Sequence, residues 1–179
     1  KAVAYFEVPS ENGLQKHDFY RLPFPNDIRL GSKLTSGHPT PGRSILDFDP
    51  VQRLLDAVNS LGAFGTTPTI YFRFSQPLDF DSVDYTQDEV SPANLFVVNI
   101  DPASPGYKSN KGFAWGASDG QQRFVCQNWL SVSSHPQDPY EFGRTYAVIM
   151  RKGLKVRDGG PAYEPDADFQ ALLSTSPPG

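Results

Sequence analysis

Hydrophobic and polar residues change their spacing twice along this chain. Val51, Leu54, Leu55, Val58 and Leu61 recur every three or four positions, the spacing of one helix face. Asp49 is placed to cap, Pro50 suits a first turn, Gln52 completes a capping-box spacing, and Gly62 stops the run. The pattern predicts an amphipathic helix over 49–62, half exposed on the side or end of a core. Beyond Gly65 the period becomes two: Ile70, Phe72 and Phe74 share one side of an extended segment, and Tyr71 and Arg73 the other.

More alternating runs follow. Phe96, Val98 and Ile100 oppose Leu95 and Val97, which predicts a strand covered on both faces; another strand is expected over 124–132. Tyr146, Val148 and Met150 alternate with Ala147, Ile149 and Arg151, and Asp158-Gly159-Gly160-Pro161 provides a turn. Phe169, Leu172 and Leu173 predict a short terminal helix, and Val3–Val8 a first strand. Between Leu22 and Gly42, Pro23, Pro25, Pro39 and Pro41 favour an extended wrap over a helix. Residues 101–122 turn to Gly, Ser, Asp, Lys and Pro, the composition of a long polar excursion between strands.

Composition agrees with short strands and many turns. The 179 residues include 13 Phe, 8 Tyr, 17 Pro and 15 Gly, and the length suffices for one hydrophobic core. A net charge of −4 and the absence of any basic run argue against nucleic acid as a partner. The longest apolar run, Tyr146–Met150, is far shorter than the roughly 20 residues that span a bilayer. A lone Cys126 forms no internal disulfide, and scattered His17, His38 and His135 give no transition-metal spacing. A start at Lys1 without leader or initiator Met, and a Ser176-Pro177-Pro178-Gly179 end that reads as linker, predict a piece of a longer chain.

Three groups of residues carry candidate chemistry. Gly116-Ala117-Ser118-Asp119-Gly120 has the G-x-S-x-G spacing of a hydrolase nucleophile elbow, which requires a strand leading in and a helix leading out. The following Gln121-Gln122-Arg123-Phe124 is a poor helix start, and Asp119 is the only acid between Ser118 and His135. A hairpin is preferred, with Phe113–Trp115 paired to Arg123–Val125 and Asp119-Gly120 at positive φ. Asp79, Asp81 and Asp84, near Asp88 and Glu89, offer oxygens for calcium, but Asp84 and Val90 stand where an EF-hand loop needs its Gly and Glu. Tyr107, Trp115 and Tyr140 are candidates for a sugar- or protein-binding platform.

Several stretches resemble bacterial Ig-like domains of the S-layer-protein type. They are Phe74-Ser75, Pro77-Leu78-Asp79, Ser82-Val83, the run Gly143-Arg144-Thr145-Tyr146-Ala147-Val148, and Asp158-Gly159-Gly160-Pro161. Phe142 stands where such domains usually have Pro, and the 101–122 excursion exceeds their ordinary loop. The opening Phe19–Leu30, with its Pro-Phe-Pro-Asn-Asp core, is similar to the N-terminal non-catalytic region of bacterial surface and virulence-factor lipases. That resemblance implies an Ig-like region preceding a separate hydrolase domain that carries its own nucleophile. It also gives Tyr146 a structural role, its hydroxyl bonded to backbone at the preceding corner.

The expectation is an all-β, Ig-like β-sandwich with a Pro-rich N-terminal wrap, one amphipathic helix and a short C-terminal helix. Residues 1–66 form the leader and helix packed on the same domain, 67–175 the sandwich and 176–179 a linker. The expected role is a non-catalytic structural or recognition module of a larger exported or cell-surface bacterial protein, outer membrane-associated or periplasm-facing. Its partners would be neighbouring domains and a surface protein or glycan, with no cofactor required and calcium as the candidate ion. The alternatives are an adhesion module binding carbohydrate or protein, and a serine hydrolase using Ser118.

Overall fold

The computed structural model describes residues 1–8, 19–29, 64–85, 93–122 and 125–174, together with Ala57 and Ser60. Two three-stranded antiparallel sheets form the body. The first has the order β2-β6-β5, made of Thr69–Arg73, Trp129–Ser134 and Phe113–Ser118. The second has the order β4-β3-β7, made of Asn110–Lys111, Leu95–Asn99 and Tyr146–Met150. A parallel pair joins β1 (Val3–Ala4) to β8 (Glu164–Pro165), and one helix, α1 (Ala167–Leu173), follows. Of the helix expected over 49–62, Ala57 and Ser60 are helical; the rest lies outside the described residues.

Alternation decides what each strand buries. Phe72 and Phe74 on or beside β2, Leu130 and Val132 on β6, and Leu95 and Val97 on β3 belong to one hydrophobic cluster fed by both sheets. Four of these six are 0% exposed, and burying each such side chain contributes about 1.5–3 kcal/mol. Trp115 faces Val132 and Ala117 faces Leu130 across the β5–β6 ladder. A one-residue slip would turn Leu130 and Val132 outward, so the pattern fixes the register.

That register corrects the hairpin expected from sequence. The partner of β5 is Trp129–Ser134, not Arg123–Val125, and the strand expected over 124–132 begins at Trp129. Among the described residues of the intervening loop, Asn128 has positive φ, at 59°. The polar excursion also contains structure: Asn110–Lys111 pairs in the second sheet, and after Gly112 the chain continues as β5 in the first.

The outer face of the first sheet is covered by the N-terminal wrap. Phe19, Tyr20 and Val125 are buried against Phe24, Tyr71 and Trp129, with Tyr20 and Tyr71 ring centroids 5.5 Å apart and Tyr71 and Trp129 5.6 Å apart. Instead of running extended throughout, the wrap makes two 3-10 turns, Phe19–Arg21 and Asp27–Arg29, on either side of a bridge to β2. In that bridge Tyr71 N–H donates to Phe24 O at 2.9 Å and Phe24 N–H to Tyr71 O at 3.3 Å. Residues 30–50 lie outside the described residues.

The second sheet differs. Leu95 and Val97 are fully buried, but Phe96 and Val98 on the opposite face are half-buried and Ile100 is 43% exposed. The strand expected to be covered on both faces is covered on one.

After β7 the chain leaves that sheet. Val156 bridges Leu78, and Lys155 pairs with Ala162 across a turn in which Asp158 and Gly159 have φ of 59° and 74°, as a type I′ hairpin turn requires. A Cβ at Gly160 would lie 2.6 Å from Val156 Cβ, so the turn closes only around glycine. Beyond it, Phe169 of α1 packs edge-on against Phe6, while Leu172 and Leu173 remain exposed.

Candidate functional site

Sequence reasoning singled out residues that the fold distributes over two ends of the molecule. At one end, Asp79, Phe80, Asp81, Arg157, Asp158 and Gly159 line an open cavity of about 420 Å³. Asp79 caps the 3-10 turn Phe80–Ser82: its Oδ1 accepts from Asp81 N–H at 3.2 Å and its carbonyl from Ser82 Oγ at 2.6 Å. Asp84 is held through its backbone, its N–H donating to Asn94 Oδ1 at 2.8 Å and its carbonyl accepting from Asn94 and Leu95 N–H. Among the described residues no three His, Cys, Asp or Glu side chains come together to hold a metal ion. Calcium needs six to eight oxygens, and Asp79, Asp81 and Asp84 do not converge to supply them. Asp88, Glu89, Asp47 and Asp49 lie outside the described residues.

Ser118 and Asp119 meet this end from β5. Ser118 is the last residue of the strand, and its Oγ accepts from Gly120 N–H at 3.1 Å, a turn bond. It pairs with Trp129, whereas His135 donates its N–H to Gly112 O at the far end of the ladder. Trp129 and His135 are six steps apart along the extended chain, about 20 Å at 3.4 Å per residue. Residues 119–122, which leave the strand, are not helical, so the strained elbow that G-x-S-x-G requires is not built at Ser118. Asp119 instead receives Arg157 Nη1 at 2.5 Å, and that hydrogen bond holds its carboxyl below the usual range. The same guanidinium lies 5.0 Å above the Phe80 ring.

The other end is built by Tyr140 and Tyr146. Tyr146 opens β7, and its hydroxyl accepts from Glu141 N–H at 3.1 Å, five residues upstream. Tyr140 is buried and stacks on Tyr146 with centroids 4.5 Å apart and planes 16° off parallel. Burial, and secondarily the neighbouring Tyr146, pushes the Tyr140 hydroxyl up to about 12. Lys111 hydrogen-bonds Asp138 nearby, which raises the ammonium pKa and lowers that of the carboxyl.

The aromatic trio occupies three different settings. Tyr107 is exposed, with Lys108 Nζ 5.1 Å from its ring centroid. Trp115 faces inward and meets Tyr85 at 5.9 Å, and Tyr140 lies under its corner. These three do not assemble a flat exposed platform.

Two residues that organise these regions carried no signal in the sequence. Arg157 joins the β5 turn to the Phe80 turn. Asn94, buried at 9% exposure, donates from Nδ2 to Ser82 O at 2.7 Å and accepts Arg151 N–H at its carbonyl. Both act across distances that no local spacing reveals.

Comparison with known proteins returns no match: no family model, curated protein or solved structure is significantly similar to the chain. Among the described residues no helix is long and apolar enough to cross a membrane.

Proposed function

We propose that this chain is a non-catalytic, Ig-like structural or recognition module of a larger exported or cell-surface bacterial protein. The observation that carries the reading is the strand order. With β2, β3, β5, β6 and β7 taken as strands B, C, D, E and F, the sheets β2-β6-β5 and β4-β3-β7 read B-E-D and C′-C-F, an order that an Ig domain has for those strands and that supports the reading. Tyr146 supports it independently, since a hydroxyl bonded to backbone N–H five residues before the start of strand F is a tyrosine corner. The Phe19–Pro25 wrap, whose sequence resembles the leader of bacterial surface lipases, lies on the outer face of the β2-β6-β5 sheet. A nucleophile in such an architecture belongs to a neighbouring domain.

A fluorophosphonate probe tests the reading against its catalytic rival. The folded chain should remain unlabelled; labelling that disappears in Ser118→Ala would overturn the proposal. Calcium is tested by the melting temperature, because an ion bound only by the native state raises it. The expected result is the same Tm with added calcium and with chelator.

A further inference from the structure

The strand that follows F in an Ig domain pairs with F, and here it does not. Ile100 N–H donates to Thr145 O and Arg151 N–H to Asn94 O, so in the β3–β7 register Ala147 and Ile149 also bond β3. Tyr146, Val148 and Met150 therefore direct their N–H and C=O groups away from the sheet. β7 ends the strand order, and among the described residues none pairs with that outer edge. The chain leaves it at Arg151: Leu154–Val156 pairs with Leu78 and residues 161–163, and β8 pairs with β1. Exposed edges are normally blunted by Pro, by charge or by a bulge, and Tyr146–Met150 contains no Pro and no charge.

The geometry points to a β-augmentation site on this edge, taking an extended peptide strand that runs antiparallel to β7 and begins with acidic residues. Each of Tyr146, Val148 and Met150 offers one donor and one acceptor, and their inward side chains are half-buried, as in a core that lacks one flanking strand. Charge selects the occupant. Arg151 and Lys152 at the C-terminal end of the edge are exposed, and among the described residues neither has an ion-pair partner; Arg151 stacks 4.8 Å from the Phe96 ring centroid. Glu164 feels Lys152, but its hydrogen bond is to Lys1. An antiparallel strand with an acidic start sets its carboxylates beside both cations. A second copy of this chain fits worse: pairing about a two-fold axis at Val148 sets Arg144 of each copy, whose guanidinium already bonds Asp101, opposite Lys152 of the other, so that position receives no free carboxylate.

The inference rests on the module reading for the role of the missing strand. The open edge itself stands on the hydrogen-bond pattern, and labelling by fluorophosphonate bears on the module alone. The probe for the edge is a fluorescein-labelled synthetic peptide, two aspartates followed by alternating valine and threonine, titrated against the folded chain by anisotropy. Saturable binding is expected, weakened about tenfold in Val148→Pro, which removes one outward N–H and leaves the β3 ladder intact. Combined Arg151→Glu and Lys152→Glu should weaken it similarly and restore it for a peptide that begins with lysines. Bound peptide should also slow amide exchange at Val148 and Met150 while leaving Ala147 and Ile149, already bonded, unchanged. Absence of saturable binding, or equal binding by the folded Val148→Pro and the charge-reversed variants, would overturn the site. Should Val148→Pro not fold, charge reversal and amide exchange decide it. A dimer in light scattering that protects the Val148 and Met150 amides from exchange without any peptide would overturn the assigned occupant.

Discussion

The edge of β2 and the edge of β7 belong to strands of equal length, yet the molecule treats them differently. Along β2, Tyr5 N–H donates to Arg73 O, Ser75 N–H to Val3 O, and Phe24 exchanges two bonds with Tyr71. Leu22, two residues before Phe24, is 1% exposed, and the Phe19–Tyr20–Phe24 aromatic group packs against Tyr71 of β2. Along β7 the residues are all half-buried and the edge is flanked by cations. Both strands are apolar enough to aggregate if left open, so the difference lies in what the chain does next. An N-terminal segment returns to β2, and the C-terminal segment bypasses β7. One edge completes the fold and the other is available to another strand.

The largest test of this contrast removes the cover. Leu22→Ala should destabilise the chain by about 2–5 kcal/mol, the cost of truncating a buried leucine and leaving a cavity, read from chemical denaturation. Val148→Ala, on the half-buried strand, should cost less than half as much. Equal losses would mean that the two edges are packed alike.

Tyr163 joins the C-terminal segment to the turn after β2, its hydroxyl donating at 2.7 Å to Gln76 O and 3.0 Å to Pro77 O. Tyr163→Phe leaves Gln76 O without that donor, while Pro77 O keeps the bond from Arg157 N–H, and should cost about 1–3 kcal/mol. Burial also pushes the Tyr163 hydroxyl up to about 12. A raised folded-state pKa contributes stability that is fully present below the unfolded value near 10 and is lost as pH rises through about 12. Absorbance at 295 nm should therefore show Tyr140 and Tyr163 ionising late, with unfolding between those two pH values. Both tyrosines titrating with the exposed ones would remove this prediction.

The sequence announced the parts of this design that depend on alternation. The inward sides of β2, β3 and β7 follow from their two-residue period, and the Asp158-Gly159 turn from its tolerance of positive φ. Asp119-Gly120 has the residues of a turn centre and points to the wrong hairpin after β5, because packing of Trp115 on Val132 and Ala117 on Leu130 sets the partner. The outer side of β3 was expected to be covered because Phe96, Val98 and Ile100 are apolar, but composition does not say whether a second layer exists. Arg157 and Asn94 were invisible for the same reason: their partners lie 38 and 12 residues away. The flanks of G-x-S-x-G favour a turn over a nucleophile elbow, and its serine accepts the turn bond from Gly120 N–H.

The smallest predicted effects come from the stacked pair at the start of β7, where two tyrosines in contact have opposite needs. The Tyr146 hydroxyl accepts Glu141 N–H and fixes the corner from which the open edge begins, so Tyr146→Phe should cost about 0.5–1.5 kcal/mol. The Tyr140 hydroxyl is buried and has no hydrogen-bond partner among the described residues. Tyr140→Phe keeps the ring on Tyr146 and the backbone bond from Tyr140 N–H to Thr66 O. Removing an unpaired buried hydroxyl relieves its desolvation cost, so this variant should match the parent or exceed it by up to about 1 kcal/mol. If Tyr140→Phe instead destabilises as much as Tyr146→Phe, the buried hydroxyl has a partner. The corner would then be held by two bonds, and the open edge would start from a firmer support than Tyr146 alone provides.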